Sequence, residues 1–301
     1  MHTSLSHPQR PVRTILRTLA HERRLVWLFI RDDISSTIIP ALLMTLTAWK
    51  VSSHSWLHVP VDLARAFVYF IAYIYLFCLS NQLVGIEEDR INKPHRPLVS
   101  HAVTIHGAQW RLVGVTIVFA GLGAVWHVYG WTLLWIITTF LHNQGGWSRH
   151  WFGKHSLMAS GIIAQLGAAW EMITPLQPMA WQWIAVIAWL MMPLVGIQDL
   201  RDIAGDINLG RRTMPIIWGH VKLRVWLATL MTGLPVFVHF SLFALHGWRI
   251  QVVLCDALIA GLCWLIAYRV AVLRATNDDH QTYLLFTYWY CSMLFSALIV
   301  F

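Results

Sequence analysis

Two short stretches of this chain gather oxygen ligands at the ends of long apolar runs. The first is Asn81-Gln82-Leu83-Val84-Gly85-Ile86-Glu87-Glu88-Asp89-Arg90-Ile91-Asn92-Lys93-Pro94-His95-Arg96-Pro97; the second is Asp199-Leu200-Arg201-Asp202-Ile203-Ala204-Gly205-Asp206. Glu87, Glu88, Asp89, Asp199, Asp202 and Asp206 are six of only 14 acidic residues in the chain. Acids beside lipid are costly, and hard cations such as Mg2+ demand several oxygen ligands, so the clusters point to a divalent-metal site. A metal held by carboxylates in this way commonly meets a phosphate. Within each cluster the spacing is helical. Asn81, Gly85 and Asp89 stand at i, i+4 and i+8, and Asp199, Asp202 and Asp206 at i, i+3 and i+7, which puts each set along one helix face. Two such faces set against each other would hold Mg2+ ions against a diphosphate. Arg90, Lys93, Arg96, Arg201, Arg211 and Arg212 lie near in sequence, with Lys154 on the next cytoplasmic loop; arginine suits bidentate phosphate contact and lysine supplies a point charge.

The elements that must position these groups are membrane helices. Hydrophobic residues make up 57% of the chain and charged residues 12%, and the mean hydropathy is +0.56. A soluble domain carries about twice that charged fraction. Apolar runs of about 20 residues recur, each long enough to cross a hydrocarbon core of about 30 Å. Nine spans are expected, at 35–52, 63–81, 108–128, 130–147, 156–175, 179–197, 221–246, 250–273 and 281–301. They form one transmembrane domain over 35–301, preceded by a basic cytoplasmic segment, 1–34, without the apolar core of a cleaved signal. With the N-terminus cytoplasmic, only Lys50, Arg65 and Arg249 of the 22 Lys and Arg fall on the far side. That split follows the positive-inside tendency, so the net charge of +8 reflects topology and anionic headgroups and needs no nucleic-acid partner. Both acidic clusters follow even-numbered spans and so share the cytoplasmic face. A weak echo between Gly85-Ile86-Glu87-Glu88-Asp89-Arg90 and Gly196-Ile197-Gln198-Asp199-Leu200-Arg201 suggests two related halves of four spans, with a ninth added.

Other groups read as packing or as solvated surface. The chain has 16 histidines but no spacing that suits zinc, and Cys78, Cys255, Cys263 and Cys291 read as buried thiols. Asp32 and Asp33 are expected at a helix cap or in the headgroup zone, and Asp278 and Asp279 in solvent. Asp256, Gln165 and Glu171 are expected to reach toward the interface.

The run from Asn81 through Asp89-Arg90-Ile91-Asn92-Lys93-Pro94-His95-Arg96-Pro97-Leu98 resembles the first signature of the UbiA superfamily of intramembrane prenyltransferases. The run Asp202-Ile203-Ala204-Gly205-Asp206-Ile207-Asn208-Leu209-Gly210-Arg211-Arg212-Thr213-Met214-Pro215 resembles the second. The likeness extends over all nine spans in order. It implies an all-α polytopic bundle around a central cavity open sideways to lipid, with Mg2+-dependent ionisation of a prenyl diphosphate. Members that prenylate aromatic acceptors carry Asn-Asp-x-x-Asp-x-x-x-Asp in the first motif. Here the same positions read Asn81-Gln82-x-x-Gly85-x-x-x-Asp89, without two of the three aspartates, and Asp199 is added before Asp202. This pattern is similar to that of the fungal membrane-bound terpene cyclases of the superfamily.

On that resemblance the chain is expected to ionise a linear prenyl diphosphate and let it cyclise, releasing diphosphate. Farnesyl diphosphate is favoured over geranylgeranyl diphosphate. Asn81, Asp89, Asp199 and Asp202 would be catalytic; Asn81, Glu88, Asp89, Asp199, Asp202 and Asp206 would hold Mg2+; Arg90, Arg96 and Lys154 would grip diphosphate. Aromatic faces stabilise a carbocation without attacking it, by up to about 2 kcal/mol when desolvated. Trp147, Trp151, Tyr283, Tyr288 and Trp289 are the aromatic candidates by position. The rival readings are a prenyltransferase acting on an aromatic acceptor and, more distantly, a secondary transporter. In a eukaryotic cell the expected location is the endoplasmic reticulum, with the active site facing the cytoplasm.

Overall fold

The computed structural model describes residues 10–301, with side chains from residue 14 onward. In chain order the helices are α1 (Arg10–Ile30), α2 (Ile34–Val51), α3 (Val59–Val84), α4 (Ile86–Asn92), α5 (Ile105–Val125), α6 (Tyr129–His142) and α7 (Trp151–Glu171). They continue with α8 (Pro178–Leu194), α9 (Gly196–Arg201), α10 (Ile203–Asn208), α11 (Met214–Trp218), α12 (His220–Val238), α13 (Ile250–Val272) and α14 (Thr276–Val300). Among the described residues no strand forms. Lipid offers no partner for an open backbone group, so a spanning segment must satisfy its own N–H and C=O groups, as a helix does.

Seven helical runs are long and apolar enough to cross a membrane, so the chain is an integral multi-pass membrane protein. Each of the nine expected spans coincides with a helix, but two fall short of that standard. The α6 helix has only 14 residues. The α7 helix has 21, but Lys154, His155 and Gln165 interrupt its apolar character. At the N-terminal side, α1 and α2 run together as Thr14–Val51, 38 residues, which at about 1.5 Å per residue is far longer than a bilayer core. Residues 1–9 of the expected basic segment lie outside the described residues.

Helix contacts form a closed circuit. The α2 helix packs on α3, α3 on α5, α5 on α6, α6 on α7 and α7 on α8. On the other side α9 packs on α12, α12 on α13, α13 on α14, and α14 returns to α2. Two of the close approaches that depend on missing side chains bear on the cavity and the acidic motifs. A Cβ on Gly161 would lie 2.4 Å from the Trp135 ring, and one on Gly205 would lie 2.3 Å from the Asn92 amide. The first contact brings the α6 indole into the centre of the bundle, and the second presses α10 onto α4.

The ends of α14 mark the two poles. At its C-terminus the Lys50 ammonium donates to Leu298 O at 2.9 Å and the Arg249 guanidinium to Val300 O at 3.0 Å. Cations there match the negative end of the helix dipole. At its N-terminal side Tyr283 lies beneath the Arg201 guanidinium, 4.3 Å from ring centroid to Cζ. Two of the three expected far-side cations thus sit at one pole, and the acidic motifs sit about 25 Å away at the other, by helix rise.

Two polar groups, Asp279 and Gln165, differ from expectation. Asp279 is buried against Arg224 at 2.6 Å rather than solvated. Asp256 pairs with His239 at 2.6 Å, and Glu171 accepts from the Trp131 indole at 2.6 Å. Gln165 is buried in the bundle, where its amide donates to Thr37 O at 2.6 Å.

Candidate active site

Neither acidic motif lies on an unbroken helix. The α3 helix stops at Val84, Gly85 leaves helical geometry, and α4 restarts at Ile86. Likewise α9 ends at Arg201, Asp202 sits at the break, and α10 restarts at Ile203. Each break turns a short acid-bearing helix back over the end of a long one. The two short helices then meet: Arg211 contacts Glu88 of α4 at 2.7 Å and Asp206 of α10 at 3.1 Å, and the Asn92 amide donates to Asp202 O at 3.5 Å. The two motifs therefore converge at one pole of the bundle.

Every acid of the clusters is matched by a base. Arg96 Nη1 donates to both carboxylate oxygens of Asp89, at 2.8 and 3.0 Å, and reaches Asn81 Oδ1 at 3.4 Å. Lys154 Nζ donates to Asp199 Oδ1 at 2.5 Å, and His155 Nε2 lies 3.0 Å from Asp199 Oδ2. Arg201 grips Asp202 through two bonds, at 3.0 and 3.1 Å. Burial pushes the carboxyls of Glu88, Asp89 and Asp206 above the ordinary range. Burial would raise Asp202 as well, but the guanidinium of Arg201 and the ammonium of Lys93 hold it well below that range. Burial likewise makes the Lys93 ammonium easier to deprotonate.

Between these groups lies a cavity with a charged mouth and an aromatic well. Asn81, Glu88, Lys93, Arg96, Lys154, Gln198, Asp202 and Arg211 line the mouth; Tyr73, Phe77, Trp135, Tyr283, Phe286 and Tyr290 line the well. A larger cavity of about 1190 Å³ adjoins it and shares Asp33, Lys93, Asp202 and Tyr283. The Lys93 ammonium makes no hydrogen bond or ion pair with another described residue, while its backbone bonds Asp89 and Arg96. Its charge is available to a ligand.

The structure separates the expected site residues into three groups. Asn81, Glu88, Asp202, Arg96 and Lys154 line the cavity. Asp89, Asp199 and Asp206 are buried behind the basic residues they hold. Arg90 points outward and pairs with Glu87 at 2.7 Å, both side chains more than half exposed. Exposed pairs of this kind contribute little, and Arg90 lines neither cavity, so Arg90→Ala should leave turnover within about twofold of wild type. Arg212 is also exposed. Its backbone pairs with Arg149 and Trp151 and staples the loop after α10 to the start of α7, close to Lys154. Of the five aromatic candidates only Tyr283 lines the inner cavity. Trp147 and Tyr288 are exposed, Trp151 packs against Trp218, and Trp289 is wholly buried among helices. Tyr73 and Phe77 were legible: they precede Asn81 by two turns and one turn on the same face of α3.

The donor chemistry fits Mg2+. Asn81, Glu88, Asp202 and Asp206 offer hard oxygens, and Asp206 Oδ2 is buried with no hydrogen-bond partner. Among the described residues no three acidic, histidine or cysteine side chains converge, because a basic group stands against each acid.

A helical membrane bundle with a cationic mouth over an aromatic well defines an intramembrane enzyme class, and comparison with known proteins agrees. The chain belongs to the UbiA prenyltransferase family, whose model matches residues 37–291. It is 40% identical to somaliensene A/B synthase of Streptomyces somaliensis, over 95% of this chain and 96% of that protein. It is 33% identical to the diterpene cyclase eriG of Hericium erinaceus (93% of this chain, 90% of that one). It is 32% identical to the polyprenyl transferase eriF of the same fungus (93% and 96%). In fold it matches a UbiA homologue from Archaeoglobus fulgidus bound to GPP and Mg2+, with a TM-score of 0.64 and 11% identity over 91% of this chain and 99% of that one. The expected likeness to UbiA-type terpene cyclases is thus borne out, and it reaches a bacterial synthase as well as fungal ones.

Proposed function

We propose that the chain is a Mg2+-dependent terpene cyclase that ionises a linear prenyl diphosphate and closes the resulting cation on itself. Farnesyl diphosphate is the favoured substrate and geranylgeranyl diphosphate the alternative. The observation that carries this reading is the polarity of the inner cavity, with basic groups and oxygen ligands at one end and aromatic rings beyond. A diphosphate belongs at the first and a hydrocarbon chain in the second.

Lys93, Arg96, Lys154 and Arg211 would bind the diphosphate oxygens. Asn81, Glu88, Asp202 and Asp206 would hold Mg2+. Asp202 lines the cavity and Asp206 keeps Oδ2 unpartnered, whereas Asp89 and Asp199, expected as metal ligands, line neither cavity and spend both oxygens on Arg96, Lys154 and His155; we assign them to positioning those bases. Bound Mg2+ supplies positive charge that stabilises the diphosphate as the carbon–oxygen bond breaks. Tyr73 and Trp135, stacked at 4.2 Å, with Phe77 5.4 Å from Trp135, present faces to the allylic cation and keep water away from it. We place this mouth on the cytoplasmic side, in the endoplasmic reticulum where the host is eukaryotic, and residues 35–301 as the catalytic domain.

A prenyltransferase is the second reading, supported by the likeness to eriF. Purified protein in lipid, given farnesyl or geranylgeranyl diphosphate and Mg2+ without an acceptor, should yield a cyclic terpene and diphosphate in equal amounts. Product that forms only on adding an aromatic acceptor would reject the cyclase in favour of the transferase.

A further inference from the structure

We infer that His142 is the base that ends the reaction by taking a proton from the final terpenyl cation, an inference that rests on the cyclase reading. His142 closes α6, lines the inner cavity and is 4% exposed. Its Nδ1 lies 2.8 Å from Asn143 Oδ1. The surrounding network fixes which atom is the donor. Asn143 Nδ2 donates to Ser80 Oγ at 2.9 Å, the Ser80 hydroxyl donates to Gln144 Oε1 at 3.1 Å, and Asn81 Nδ2 donates to Asn143 Oδ1 at 3.2 Å. Asn143 Oδ1 is thus an acceptor, so Nδ1 of His142 carries the hydrogen. The lone pair is left on Nε2, a buried atom with no hydrogen-bond partner. A buried polar atom without a partner is costly, and its persistence points to a ligand or a chemical task.

The position suits that task. The imidazole lies 5.3 Å from the Phe77 ring, next to the aromatic wall of Phe77, Trp135 and Tyr73. Through Asn143 and Asn81 it is linked to Arg96, so it sits toward the head end of the cavity, where a chain tail that folds back to the ionised carbon would bring the last cation. The hydroxyls and the thiol beside the aromatic wall are already engaged. The Tyr73 hydroxyl donates to Gly161 O at 2.7 Å, that of Tyr290 donates to Gln165 Oε1 at 3.2 Å, and the Cys78 thiol donates to Asp33. In the step itself a C–H bond adjacent to the cationic carbon breaks. Its electron pair becomes the new C=C bond, and the proton passes to Nε2 to give an imidazolium. Release of that proton to the departing diphosphate restores the neutral ring.

The test is the product spectrum of His142→Phe and His142→Gln with farnesyl and geranylgeranyl diphosphates and Mg2+, resolved by gas chromatography–mass spectrometry. The main wild-type olefin should fall at least tenfold as a share of all products, replaced by isomers from earlier deprotonation or by alcohols from water capture. The Gln variant, whose amide can still donate to Asn143, gives the reading if the Phe variant does not accumulate folded. An unchanged product distribution in a folded variant overturns the inference. So does loss of all diphosphate release, which would place His142 in ionisation instead. Wild type run in parallel separates the two levels: if it makes no cyclic product without an acceptor, the cyclase reading has failed, not the assignment of the base.

Discussion

Asp202→Ala should lower diphosphate release from the prenyl substrate by at least about a thousandfold, close to 4 kcal/mol of transition-state stabilisation at 1.36 kcal/mol per tenfold. Two losses combine in that figure. Asp202 is buried at the helix break and lines both cavities, so its removal deletes an anionic oxygen at the proposed metal position. It also releases Arg201, now held by two bonds and lying over Tyr283, to compete for the diphosphate. Arg201 and Lys93 hold the Asp202 carboxyl well below the ordinary range despite its burial. It therefore stays ionised throughout the neutral and mildly acidic range, and its charge is the property that matters. Asp202→Asn keeps the size and one acceptor but removes the charge, and should fall nearly as far. Diphosphate release measured against Mg2+ concentration, with circular dichroism to confirm folding, provides the check. An Asn variant that keeps more than a tenth of wild-type turnover would remove Asp202 from the metal site.

Much of this arrangement is readable from periodicity and charge, for stated reasons. Membrane-length apolar runs oblige helices, and even parity places both motifs at one pole, where Arg211 joins Glu88 to Asp206. Counting back in fours from Asn81 gives Phe77 and Tyr73, because the α3 face is regular up to Gly85. What sequence does not carry is the phase of a helix relative to its neighbours. Gln198 and Asp199 both fit a face that includes Asp202. Packing turned Gln198 into the cavity and Asp199 toward α7. The pairing of acids with bases is equally opaque, since Arg96 and Lys154 reach their partners only after the motifs fold over the helix ends. Trp135 and His142 come from α6, the shortest of the helices matching the expected spans, and Trp135 reaches the cavity because Gly161 on the facing helix has no side chain in the way.

The pairing of acids with bases also makes the site a point of structural weakness. Asp199 is fully buried, with one oxygen bonded to Lys154 and the other to His155, and Lys154 is itself only 6% exposed. Removing one partner of a buried pair strands the other charge, at a cost of about 3–5 kcal/mol. Asp199→Ala is therefore expected to lower the thermal midpoint in detergent or lipid sharply and to reduce the yield of folded protein. Loss of activity in that variant alone would say nothing about chemistry. Adding Lys154→Met to Asp199→Leu replaces the pair with apolar groups of similar volume and should restore most of the lost midpoint, since buried ion pairs seldom stabilise more than well-packed hydrophobic side chains. Activity should not return with it, because the diphosphate would still lack the Lys154 ammonium at the cavity mouth. A double variant that regained both stability and turnover would show that Lys154 serves only to neutralise Asp199. A double variant that regained neither would show that His155 also depends on that carboxylate to hold α7 in place.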